Sequence, residues 1–157
     1  MDNQNQLAKN GQMPLKSCVV DKDGDKKDIF EISVYNDQLT PQNIGKYTIE
    51  LINAFPDIKT EFLEGLKQAI LRNKFTDDRF KDAVHNLIDT YHYTVPKIAD
   101  IISYDNRVRL YTYNEVLNYQ AWTDRMPFTD VFKCTEYSVG GKKLWAKITD
   151  LQQFNLL

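Results

Sequence analysis

The sequence is poor in the residues that announce a chemistry. Of its 157 residues only two are cysteines, Cys18 and Cys134, far apart and with no CxxC pair or Cys/His cluster beside either, which argues against a disulfide framework. There is no GxSxG, no phosphate-cradling glycine-rich loop and no HExxH. The common hydrolase, nucleotide-binding and metalloprotease signatures are missing, and neither catalysis nor a cofactor is expected. No apolar run approaches membrane-spanning length, and Met1-Asp2-Asn3-Gln4-Asn5-Gln6 lacks the basic and apolar regions of a secretory signal. The expectation is a cytoplasmic protein with no membrane partner. Charge of one sign is missing too: 20 Lys and Arg stand against 22 Asp and Glu, a net of −2, which predicts no general affinity for nucleic acid or membrane. Only residues 104–157 lean basic, with 7 Lys and Arg against 6 Asp and Glu.

What remains is pattern. Residues 1–15 are rich in Asn, Gln and Gly and are expected to be a flexible tail, because so few large apolar groups do not offset the entropy cost of ordering. Residues 16–157 are long enough for a single domain with its own core. Cys18-Val19-Val20 and Ile29 to Tyr35 read as two strands joined at Asp23-Gly24, giving a β-hairpin over 16–38. The aspartates of Asp21-Lys22-Asp23-Gly24-Asp25 alternate as EF-hand ligands do. With Asp21 as the first loop position, however, the required Gly falls on Lys26 and the bidentate Glu on Ile32, so a solvated turn is the better reading.

Helices follow over 40–103. Thr40-Pro41 supplies an N-cap and a first-turn proline, Ile44, Tyr47, Thr48, Leu51, Ile52 and Phe55 form the inward stripe, and Pro56 ends the helix. A second helix is expected over 57–73, with Phe62, Leu63, Leu66, Ala69 and Ile70 inward. The most patterned stretch, Phe75 to Ser103, holds a third. Thr76 caps it, Asp77 and Asp78 favour its N-terminal dipole, and Phe80, Ala83, Val84, Leu87, Ile88 and Tyr91 recur at helical spacing. Pro96 disfavours helical geometry at Val95 yet opens a short helix over 96–102. Three amphipathic helices on short connections predict a bundle.

Beyond Ser103, Val108 to Tyr111 reads as a brief extended piece. Thr112-x-x-Glu115 is a capping box that starts a helix with Tyr113, Val116, Leu117 and Ala121 inward. Val131 to Ser138, Gly140-Gly141 and Leu144 to Ile148 form a second hairpin, and Thr149-x-x-Gln152 a last capping box. The expected fold is α+β and mainly α: a three-helix bundle over 40–103, further short helices, and N-terminal and C-terminal β-hairpins. The two hairpins are candidates for one small sheet, since a two-stranded hairpin alone is marginal.

Three groups of side chains invite a chemical reading. His85, Asp89 and His92 share one helical face, a conceivable divalent-metal set. Such a set on one exposed helix needs a further ligand from elsewhere and is more often simply solvated, so no metal site is assigned. The second hairpin carries Lys142 and Lys143 at its tip, Lys133 and Lys147 on its strands and Trp145 between them, while Arg107 and Arg109 alternate on one extended face. A basic hairpin after a helix is how a winged helix meets DNA backbone, and an aromatic beside lysines suits single strands. The plainer reading is that tip lysines keep an edge soluble while Trp145 packs inward. Tyr93, Tyr104, Tyr111 and Tyr113 crowd the organising stretch and its sequel. Tyrosine is favoured at protein interfaces because it buries area and keeps a polar handle, and it is as common at the rim of a small core.

Residues 44–103 resemble the family of small bacteriophage proteins that load or inhibit the replicative helicase. Leu51-Ile52-Asn53-Ala54-Phe55-Pro56 resembles the aromatic-proline end of that family's first helix, Phe62 to Ile70 its second helix and Phe80 to Tyr91 its third. Tyr93-Thr94-Val95-Pro96-Lys97-Ile98-Ala99-Asp100-Ile101 resembles its closing motif. The layout is also similar to uncharacterised prophage or mobile-element proteins. The resemblance implies a structural helical domain and a non-enzymatic accessory role in phage or mobile-element DNA replication, with the replicative helicase as partner. In that family a flexible C-terminal segment engages the helicase, whereas this chain continues past the motif into a helix and a hairpin. The alternatives are a DNA partner held by the C-terminal hairpin as a wing, and a helical interaction domain with another partner.

Overall fold

Stretches in which apolar and polar residues alternate pair into a sheet, and the amphipathic stretches between them pair with one another. The computed structural model describes residues 14–122 and 127–157, without the side chains of Ala121 and Trp122. The expected tail lies outside the described residues as far as residue 13, as does the inward Ala121 side chain, while Leu15 already belongs to a strand. Two compact units result: residues 14–34 together with 107–157, and Tyr35–Asn106.

In the first unit, β1 (Leu15–Val20) and β2 (Lys26–Ser33) form one antiparallel hairpin, and β4 (Phe132–Val139) and β5 (Lys142–Lys147) form another. The second hairpin turns at Gly140 and Gly141, both at positive φ (57° and 77°), a conformation that glycine adopts without steric cost. Between the hairpins lies β3 (Arg107–Tyr111), antiparallel to β2 on one side and to β5 on the other. The strand order is β1-β2-β3-β5-β4 in one five-stranded sheet.

This corrects the expectation of a mainly helical domain with terminal hairpins. Among the described residues the fold is α+β, with seven helices and a five-stranded antiparallel sheet, and the hairpins meet only through β3. The five residues of β3 look minor in sequence. In the sheet, Val108 and Leu110 are each 1% exposed and complete a buried face with Phe30, Ile32, Leu144, Ala146 and Leu151.

Two local expectations at the C-terminal end also change. In α5 (Tyr113–Trp122) the inward residue is Val116, and Tyr119 packs its ring against Phe132 at 5.2 Å. Tyr113 and Leu117, expected inward, are instead 49% and 40% exposed, and among the described side chains of α5 only Val116 is buried. After α6 (Phe128–Val131) and the second hairpin, β5 passes directly into α7 (Ile148–Gln153) with Lys147 as N-cap. Thr149 therefore sits inside the helix and caps nothing.

The second unit holds α1 (Pro41–Ala54), α2 (Thr60–Arg72), α3 (Asp77–Thr90) and α4 (Ile98–Ile102). Thr40 and Thr76 accept from the backbone N–H three residues on and cap α1 and α3. The buried stripes converge on Leu51, Leu66, Ile70, Phe80, Val84 and Ile101, all at 1% exposure or less. A Cβ on Gly65 would lie 3.0 Å from Ile98 Cδ1; the absence of a side chain there lets α2 and α4 approach closely. No helix among the described residues is long and apolar enough to cross a membrane.

Candidate interaction surfaces

In the helical unit several part-buried polar side chains tie elements together. Asp77 accepts from Thr40 N–H at 2.7 Å, Thr40 Oγ1 at 2.9 Å and Asn43 Nδ2 at 2.7 Å, so one carboxylate of α3 also ties down the start of α1. Burial alone pushes its pKa up; the donors from Thr40 and Asn43 outweigh burial and hold it below the usual aspartate value. Arg79 reaches the other end of the unit. It donates to the carbonyls of Tyr104 at 2.8 Å and Ile102 at 3.0 Å and lies over the Phe75 ring, fastening the last turn of α4. Tyr35 donates to Asp82 at 2.9 Å and accepts from Asn106, which also reaches the Tyr104 hydroxyl. Burial, and then the bond to Asp82, pushes the Tyr35 hydroxyl far above its ordinary pKa.

The tyrosines singled out from the sequence fall into both units. Tyr104 is engaged in the network just described. Tyr93 is 75% exposed and stands edge-on to Tyr91 at 5.4 Å, which in turn meets Phe55 at 6.0 Å. These rings, with Pro56, Ile88 and His92, line an open groove of about 530 Å³. His85 pairs with Glu50 at 2.8 Å, and among the described residues no three His, Cys, Asp or Glu side chains are gathered to hold a metal. The calcium-like turn is closed by its own backbone: Asp21 Oδ1 accepts from the N–H groups of Asp23 and Asp25 at 3.0 and 2.9 Å.

In the sheet unit the basic residues divide into two sets. Arg107 meets Glu31 at 3.6 Å, and Arg109 meets Glu115 at 3.1 Å while lying over the Tyr111 ring. Lys147 lies over Tyr111 and Tyr119. These three belong to the sheet face that α5 covers, where Tyr111 packs on Phe132. Glu115 is the hub there. It accepts from Thr112 N–H at 2.8 Å and pairs with Lys27 at 3.0 Å, and these contacts hold its carboxyl low against the upward push of burial. Lys133 is exposed on the edge strand β4, and Lys142 and Lys143 are exposed at the start of β5.

Those last two lysines open onto a second groove, of about 540 Å³, with walls from Phe30, Tyr113, Asn114, Val139, Leu144 and Trp145. The chain matches no family model, no curated protein and no solved structure. The geometry therefore stands by itself. Tyr113 and Trp145, whose centroids lie 6.3 Å apart, line the groove together with Lys142 and Lys143, and Phe128 contacts both rings edge-on at 6.4 and 5.5 Å. Phe30, Asn114 and Val139 carry no sequence signal for this role. They lie on three different elements, and only the sheet register brings them together.

Proposed function

We propose that the protein is a non-enzymatic accessory protein of phage or mobile-element DNA replication that acts by binding a protein partner, with the replicative helicase the leading candidate. The observation that carries this reading is the location of the resembling segment. Residues 44–103 fall wholly within a unit that has its own core, Tyr35–Asn106, and the segment of the closing motif presents Tyr93, 75% exposed, at the lip of an aromatic groove. An exposed tyrosine beside a groove of mixed aromatic and polar lining suits an interface anchor. The polar networks around Asp77, Arg79 and Tyr35 hold helix ends in place, which suits a rigid presenting scaffold.

The test is complex formation between the purified chain and a purified bacterial replicative helicase hexamer, read by size exclusion and calorimetry. A complex is expected, and Tyr93→Ala is expected to weaken it by about tenfold or more, the loss typical of a hot-spot tyrosine. No complex at high micromolar concentration, or a complex indifferent to Tyr93→Ala, would reject the reading.

A further inference from the structure

We infer that the groove between the two hairpins of the sheet unit binds single-stranded DNA, holding a base against Tyr113 and Trp145 and the neighbouring phosphates at Lys142 and Lys143. The groove is a consequence of strand length. β3 pairs with β5 at only two positions, Leu110 with Ala146 and Tyr111 with Trp145, and with β2 no further than Phe30. Beyond Tyr111 the chain turns at Thr112 into α5, while β2 and β5 continue on either side. A notch is left where a longer β3 would have run, with Phe30, Leu144 and Tyr113 among its lining residues.

Its chemistry selects the occupant. A volume of about 540 Å³ is within the range of small-ligand sites, and Tyr113 is 49% exposed, so its ring can take a stacking partner. Stacking on aromatics beside cations is how single strands are held without sequence preference. A duplex keeps its bases stacked inside and has none to place in a notch. Of the nearby acidic side chains, Glu31 pairs with Arg107 at 3.6 Å, Asp28 with Lys16 at 2.9 Å and Glu115 with Lys27 and Arg109, and Glu136 is partly buried on β4; Lys142 and Lys143 are exposed to meet phosphate. Asp21, Asp23 and Asp25 at the turn before β2 discourage a long phosphate track, so the footprint is short. The apolar walls offer few partners for a 2′-hydroxyl, which favours DNA over RNA. The site is independent of the helicase reading.

The experiment is fluorescence anisotropy of a labelled oligothymidylate titrated with the intact chain at low and moderate salt. Binding in the micromolar range is expected, with log K falling against log salt at a slope of about −1.4, roughly −0.7 for each of two phosphate contacts. Lys142→Gln with Lys143→Gln should flatten that slope. Tyr113→Ala should weaken binding about 5- to 100-fold with the slope kept, Tyr113→Phe should bind as the parent does, and Tyr93→Ala should change nothing. Circular dichroism of each variant verifies the fold, and the conservative Tyr113→Phe variant separates stacking from structural damage. Any of four results would overturn the inference: no anisotropy change up to about 100 μM protein, equal or tighter binding of a duplex of the same length, tighter binding of the matching RNA, or binding unaffected by Tyr113→Ala.

Discussion

Asp77 joins two helix ends with one carboxylate, and its worth can be read from its donors. Three hydrogen bonds from Thr40 and Asn43 end on it, and truncation strands those donors in a half-buried position. Asp77→Ala is expected to cost about 1–3 kcal/mol, or a fall in Tm of a few degrees for a chain of this size. The pH dependence has a definite sign. The folded-state pKa lies below the ordinary aspartate value, so the contribution is fully present above the unfolded pKa of about 4 and is lost as pH falls through the depressed folded value. Urea titrations near neutrality and near pH 3 should show the parent losing more stability on acidification than the variant. An identical loss in both would contradict the assignment.

At the scale of elements, capping is local, and three of the seven helix starts among the described residues were legible in the sequence for that reason. Thr40, Thr76 and Thr112 all cap where the residue pattern placed them, because a cap involves residues three apart. At Thr112 the box is reciprocal, with Glu115 accepting from Thr112 N–H and returning its own N–H to Thr112 Oγ1 at 3.4 Å. Thr112→Ala should cost about 1 kcal/mol and accelerate amide exchange in the first turn of α5, with little effect on the helical unit. Uniform acceleration across the chain would argue against a local role. Thr149 follows the same spacing and caps nothing, since β5 runs into α7 without a break. The spacing rule cannot see whether a strand has already delivered the chain in helical register. β3 shows the converse: five residues carry little local signal, yet they join the two hairpins.

For the whole molecule, the division into two units makes its own prediction. Tyr35–Asn106 holds a core from Tyr47 to Ile101 drawn from its own helices and the connecting residues Phe55 and Phe75, so a fragment of those residues is expected to fold. Its circular dichroism should be helical and its thermal transition cooperative; a broad, non-cooperative melt would show that the core needs the rest of the chain. This unit was the readable part, because helical periodicity records burial within single elements. The candidate sites were readable only as residue types. Arg107, Arg109 and Lys147, a possible nucleic-acid face on paper, lie against glutamates or aromatic rings in the sheet unit, whereas Lys142 and Lys143 open onto the notch. The sequence by itself determined the caps, the turns and the buried stripes of the bundle, all of which rest on neighbours a few residues apart. Only the tertiary structure decided the strand order, the face of α5 that is buried and the groove beside β3, because these depend on registers between strands far apart in the chain, where a shift of one residue turns every side chain to the opposite face.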